Sequence, residues 1–220
     1  TCYPREAVAE EASLLLGVDI SLVYSAIESL VLERRVRLLE ANGEEVLALP
    51  GVYRTEKNAA VLVTRLLEGA DSTVYDVTAD ISEYEKINGI ILHERQKEAV
   101  TAAISNGATL ITGGPGTGKT TIIKCIIEIF DKLNKTVLLM APTGRAAKRM
   151  SEATGREAST IHRACRFGSD MASGENLACD VVIVDEFSMV DVFLFEALLK
   201  KITAGTRLVL VGDKDQLPSV

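Results

Sequence analysis

The sequence predicts an α/β fold: a parallel sheet with helices on both faces, preceded by a smaller α+β unit. Three observations predict it. Beyond residue 80, four short apolar runs alternate with segments of helical period. Each run ends in a loop of glycine, acidic or small polar residues. Ahead of residue 80, two helical segments lead into a hairpin. Near-continuous apolar strands suit a sheet covered on both sides, because no solvated face has to be encoded.

In chain order, residues 4–16 read as a first helix. Pro4 suits its first turn, Ala7, Val8, Ala12, Leu15 and Leu16 form an apolar stripe, and Gly17 ends it. A second helix runs from Ile20 to Arg34, capped by Asp19 or Ser21, with Val23, Ile27, Leu30 and Val31 inward. Residues 35–49 read as a hairpin in which Val36, Leu38, Val46 and Leu49 flank an Asn42-Gly43 turn. Helix, helix, hairpin is the outline of a winged helix. A helix over 54–67 links the two units and 70–79 form the connector, so the expected domains are 1–79 and 80–220.

In the second unit a helix at 94–105 precedes a strand at 108–112. Ile122, Ile123, Ile126, Ile127, Phe130 and Leu133 then recur at helical spacing. A strand at 136–141, a helix at 144–153, a strand at 181–184, a helix at 192–202 and a strand at 208–211 complete it. That alternation is the pattern of a RecA-like nucleotide-binding core.

The loop between the first of these strands and its helix is Gly113-Gly114-Pro115-Gly116-Thr117-Gly118-Lys119-Thr120-Thr121, which fits the phosphate-binding pattern G-x-x-x-x-G-K-[ST]. Its glycines let the backbone curl so that successive N–H groups point at an anion. Lys119 can reach the β- and γ-phosphates, the Thr120 hydroxyl can ligand Mg²⁺, and the helix N-terminus adds partial positive charge. The strand 181–184 ends in Asp185 and Glu186. A strand C-terminus in such a sheet faces the ligand crevice. Asp185 therefore suits Mg²⁺, and Glu186 suits polarising a water that attacks the γ-phosphate. The last strand ends in Gly212-Asp213-Lys214-Asp215-Gln216, where Gln216 can hydrogen-bond the γ-phosphate or that water. On the first helix of this unit, the Gln96 amide can read an adenine edge.

Composition bounds the function. The chain has 220 residues, 47% of them hydrophobic and 25% charged, with no tryptophan. It holds no apolar run long enough for a membrane span and nothing like a signal peptide at its start. Four scattered cysteines and two distant histidines argue against a disulfide framework or a metal centre and for a reducing, cytoplasmic setting. The net charge of −7 argues against a uniformly basic nucleic-acid binder. Residues 1–79 carry 7 Lys and Arg against 13 Asp and Glu, which favours a spacer over a DNA-binding winged helix. Basic residues concentrate at 145–166, where Arg145, Lys148, Arg149, Arg156, Arg163 and Arg166 meet Glu152 and Glu157. Thr143, Gly144 and Arg145 open that region with small residues that admit a ligand backbone and cations that contact phosphate. His162 reads either as a satisfied structural histidine or as a strand contact. The start at Thr1 and the stop just after a motif suggest a fragment of something longer.

Together these residues resemble a family. Gln96, GGPGTGKTT at 113–121, APTGRAAKRM at 141–150, TIHR at 160–163, DEFSMVD at 185–191 and VGDKDQLPSV at 211–220 look like motifs Q, I, Ia, an Ib-like segment, II and III of superfamily 1B DNA helicases, in the RecD/TraA group. Members carry names such as exodeoxyribonuclease V alpha subunit. The resemblance implies a motor that hydrolyses ATP with Mg²⁺ and moves 5′ to 3′ along single-stranded DNA in recombination or repair, as a soluble monomer without a membrane partner. By position it implies that Gly114 to Thr121 bind nucleotide, that Thr120 and Asp185 hold the metal, and that Lys119, Asp185, Glu186 and Gln216 are catalytic. Gln96 would select adenine, and Thr143, Arg145 and His162 would lie near DNA. The family's motifs IV to VI have no counterpart in the sequence, so these residues alone are expected to bind nucleotide weakly and to be inactive. Two other readings compete: a P-loop ATPase that is not a DNA motor, which leaves 145–166 and 211–220 unused, and a nucleotide-gated scaffold acting through residues 1–79.

Overall fold

The computed structural model describes residues 2–69, 75–166, 176–213 and 215–216. Two compact units, Thr1–Ala60 and Val61–Val220, each hold together by their own contacts. Of the connector expected at 70–79, residues 70–74 lie outside the described residues.

The first unit contains β1 (Cys2–Pro4), α1 (Arg5–Leu16), α2 (Ile20–Leu32), β2 (Arg37–Ala41), β3 (Glu44–Ala48) and the start of α3 (Pro50–Glu68). Its antiparallel sheet has the order β1-β3-β2. Asn42 and Gly43 both take positive φ, 54° and 81°, as a two-residue hairpin turn requires. The Asp19 carboxylate caps α2 by accepting from the Ser21 amide at 2.8 Å. Ala9, Val23, Ile27 and Leu47 form the core, with Val8, Ala12 and Val31 packed around it. That core stops at Ala12 on α1. Leu15 and Leu16, expected inward, are 84% and 70% exposed, because so small a two-layer unit leaves the last helical turn uncovered. β1 was not anticipated, being too short to show alternation. α3 begins at Pro50 rather than near residue 54, with proline in its first turn.

The second unit runs α4 (Thr78–Asn88), α5 (Glu94–Ser105), β4 (Ala108–Thr112), α6 (Lys119–Lys132), β5 (Val137–Ala141), α7 (Gly144–Thr154), β6 (Ala158–Thr160), α8 (Ile161–Ala164), β7 (Val181–Val184), α9 (Val192–Leu199) and β8 (Arg207–Gly212). All five strands are parallel, in the order β4-β8-β7-β5-β6. Val181 and Ile183 of β7 join Val100, Ile104, Ile123, Ile126 and Phe130 of α5 and α6 in the main core. Val182 and Val184, which alternate to the other face, are equally buried, so the sheet is covered on both sides as expected. α4, which starts inside the expected connector and was not itself anticipated, has a sparse buried stripe, just Ile81 and Tyr84. The edge strand β6 was missed for the same reason as β1. Cys125 and Cys165 are buried and unpaired, and burial pushes their thiols up to about 12 and about 11, so they act as packing residues. Among the described residues no single helix is long and apolar enough to cross a membrane.

Parallel pairing puts all five strand C-termini along one edge, where ligands bind in such sheets. The opposite edge is pinned by Asp180. Its carboxylate accepts from the Thr136 hydroxyl at 2.7 Å and the Thr136 amide at 2.8 Å, and pairs with Lys135 at 3.2 Å. These bonds, those from Thr136 foremost, hold the carboxyl down at about 2. A carboxylate depressed in the folded state contributes stability in full above its unfolded pKa, and loses it as pH falls toward the folded value. Asp180→Ala therefore lowers the urea midpoint at neutral pH. The gap to wild type closes as pH drops from about 4 to about 2. A gap that stays constant across this window would remove Asp180 as the source.

Candidate functional site

The phosphate-loop expectation rests on a strand before it and a helix after it, and both are present. β4 leads into the loop and α6 starts at Lys119. Gly116 and Gly118 take φ of 74° and 84°, a left-handed backbone that glycine enters without strain. The Gly113 amide donates to the Gly212 carbonyl at 3.2 Å, tying the loop to the end of β8. Thr117 Oγ1 donates to the Gly114 carbonyl at 2.8 Å, which closes the curl. Lys119 Nζ donates to the carbonyls of Gly113 and Gly114 at 2.5 and 2.9 Å, so the ammonium lies over the loop.

Gln96 lies beside this loop. Its Nε2 donates to the Thr117 carbonyl at 2.9 Å, and its Oε1 accepts from the His93 amide at 2.8 Å. One side chain thus caps α5 and braces the loop at once. The fit is close: a Cβ on Gly118 would stand 2.5 Å from Gln96 Nε2. Gly118→Ala is therefore expected to lower nucleotide affinity at least tenfold, since a left-handed non-glycine residue costs about 1–3 kcal/mol before any clash. Titration with a fluorescent nucleotide checks this. Wild-type affinity in the variant would mean that the loop tolerates another geometry.

Asp185 and Glu186 follow β7, which is separated from β4 by β8. Glu186 is left-handed, at φ 53° and ψ 39°, and its amide donates to Asp185 Oδ1 at 2.8 Å. The Asp185 carboxyl is raised above its usual value, chiefly by burial and also by the Glu186 charge, against the Glu186 amide bond and the pull of Lys119 and Arg149. A pocket of about 170 Å³ is lined by Thr120, Asp185, Glu186, Arg149 and Met150, which brings the first turn of α6 and the two carboxylates to one cavity. Thr120 and Asp185 offer oxygen donors, the set that a hard divalent cation takes alongside phosphate oxygens.

The candidate nucleic-acid residues occupy the other end of the same edge. Thr143, after β5, caps α7 by accepting from the Ala146 amide at 3.2 Å. Arg145 is exposed on the first turn of α7, and His162 is exposed on α8 after β6. The strand order therefore runs from the phosphate loop at β4, through the carboxylates at β7, to these residues at β5 and β6. Two further side chains join the site that sequence reasoning did not assign there. Arg149, on the second turn of α7, reaches Glu186 Oε1 at 3.4 Å. Ser188 donates its hydroxyl to Gln216 Oε1 at 3.2 Å and so links the β7 and β8 loops. A hydroxyl two residues past a carboxylate pair was the available signal for Ser188. Arg149 had none beyond its charge.

A glycine loop at a helix N-terminus, with a carboxylate pair at the end of a strand in the same parallel sheet, defines a P-loop nucleotide-binding domain. Residues 96–220 match the family model described as AAA domain, and the chain belongs to that family. It is 40% identical over 185 residues to the ATP-dependent RecD2 DNA helicase of Deinococcus radiodurans, covering 82% of this chain and 25% of the relative. It is 38% identical over 156 residues to the RecBCD enzyme subunit RecD of Mycolicibacterium smegmatis, covering 58% of this chain and 28% of the relative. The likeness to RecD-type helicases read from the motifs is thereby borne out. The chain spans about a quarter of the length of these relatives. Among solved structures, the Pif1 helicase from Candida albicans aligns with 60% of this chain and 34% of that one, at 29% identity and a TM-score of 0.46.

Proposed function

We infer that this chain supplies the ATP-binding half of a RecD-type DNA motor that moves 5′ to 3′ along single-stranded DNA. The observation that carries the reading is the shared sheet edge, with Arg149 on the helix behind Thr143 and Arg145 touching Glu186 at 3.4 Å. A strand held at the start of α7 would bias that contact, and with it the carboxylate that acts on water. This gives the basic segment 145–166 a use that a non-motor ATPase would not need.

In this reading the loop amides and the α6 N-terminus bind the phosphates, and Lys119 exchanges its two loop carbonyls for phosphate oxygens. Thr120 and Asp185 would hold Mg²⁺, which supplies charge neutralisation at the phosphates when bound. Glu186 orients the attacking water and takes its proton. Gln216, positioned by Ser188, reports the state of the γ-phosphate to the β8 loop. Gln96 fixes the loop, and would have to exchange its bonds to Thr117 and His93 to read an adenine edge. The full-length protein acts in the cytoplasm, on DNA intermediates of recombination or repair.

The test is ATP hydrolysis by the full-length protein with and without a single-stranded oligonucleotide. Strong stimulation supports the motor, and directional displacement assays then read its polarity. Hydrolysis indifferent to DNA would move the assignment to a non-motor ATPase, and binding without turnover to a nucleotide-gated scaffold.

A further inference from the structure

The first unit is acidic as a whole, yet its charges are segregated. One groove is lined by Glu6, Glu10, Glu44 and Glu45 around Arg5. A second, of about 800 Å³, is lined by Arg34, Arg37, Arg54 and Lys57, and no acidic side chain lines it. Four of the seven Lys and Arg residues in 1–79 are therefore gathered in one place. They come from three elements: the turn after α2, strand β2 and the first two turns of α3.

All four are exposed, and among the described residues none of them forms an ion pair. The neighbouring cations differ. Arg35 pairs with Glu33 at 3.7 Å, and Arg5 pairs with Glu45 and Glu28 at 2.6 and 3.3 Å. Arg34 is presented by a left-handed residue, φ 59°, at the end of α2. An unneutralised cluster raises the local potential and has to be offset by an anion or by solvent ions.

We propose that this groove binds the phosphate backbone of duplex DNA. Two observations choose this ligand. The groove's aromatic ring, Tyr53, carries the Arg37 guanidinium over one face at 4.7 Å, so that face is closed to a stacking unpaired base. Single-strand binders rely on such platforms, whereas a duplex keeps its bases inside and offers phosphates at high linear density. The contact also differs from that of an ordinary winged helix. α2, the helix in the recognition position, carries Glu28 as its single charge and offers no cation to a groove; the cations flank its C-terminal end instead. The net acidity of residues 1–79 hid this because Glu6, Glu10, Glu44 and Glu45 lie in the other groove.

The experiment uses residues 1–220 and a blunt, fluorescein-labelled duplex of about 20 base pairs, long enough to cover several phosphate contacts. Anisotropy titrations run between about 50 and 200 mM salt, where a phosphate-driven affinity changes steeply. Arg34→Ala/Lys57→Ala should lower duplex affinity at least tenfold and reduce the slope of log affinity against log salt by about 2. Arg34→Ala/Arg54→Ala should repeat that result, and circular dichroism should show both variants folded. Unchanged affinity and slope in both pairs would overturn the proposal. A loss confined to a single-stranded oligonucleotide would overturn the duplex assignment, and polyglutamate competing as well as duplex would point to an acidic protein instead. The result is separable from the motor reading, since hydrolysis indifferent to DNA leaves this measurement standing.

Discussion

Replacing Glu186 by Gln cuts ATP turnover by about 10²–10⁴-fold, the range that positioned acid–base groups contribute, and leaves nucleotide affinity nearly unchanged. The substitution keeps the side chain's length and its hydrogen-bonding capacity. It removes the negative charge that meets Arg149 at 3.4 Å and that, in the proposed mechanism, draws a proton from water. Binding is spared because the proposed mechanism holds the phosphates from β4 and α6, two strand positions away from β7. Steady-state hydrolysis and fluorescent-nucleotide binding, measured on the same full-length preparation, separate the two effects. Turnover within a few-fold of wild type would transfer the water-activating role to another group, and Asp185 would be the first to examine.

Lys119→Ala acts on the other term. A charged hydrogen bond contributes about 1.5–3 kcal/mol, so losing the ammonium from the phosphates weakens nucleotide binding by roughly 100-fold and stops turnover at ordinary concentrations. The structure also admits a purely structural role, since Lys119 bonds the carbonyls of Gly113 and Gly114. Thermal midpoints without nucleotide distinguish the two. An unchanged midpoint with lost affinity fits a phosphate ligand. A lowered midpoint with affinity retained would make Lys119 a brace of the loop, and Gln96 already serves as one from outside.

Much of the site was legible because its chemistry is local in sequence. The loop 113–121 needs glycines at fixed positions to take positive φ, and a strand–loop–helix context, and nine consecutive residues record both. The carboxylate pair is marked by the four fully buried residues that precede it. What the sequence did not disclose depends on strand order. Arg149 meets Glu186 because β5 and β7 are neighbours, and Ser188 meets Gln216 because β7 and β8 are; no periodicity reports either pairing. Gln96 illustrates a middle case. Its place near the loop was readable and its capping bond to His93 is local to α5, but its bond to Thr117 follows from how α5 sits against the loop. In the first unit, summing charge over residues 1–79 averaged two oppositely charged grooves to a single sign.

The strand order also sets a timetable for synthesis. Ala108 of β4 pairs with Leu208 of β8, so the strand that carries the phosphate loop has no neighbour in the sheet until the far end of the second unit has been made. At about 5–20 residues per second, that interval lasts roughly 5–20 s. Throughout it β4 is an unpaired apolar edge, the kind of segment that joins the wrong partner. The loop meanwhile lacks the Gly212 carbonyl that anchors it. The nascent chain therefore carries residues 113–121 well before the strand that anchors them has been made.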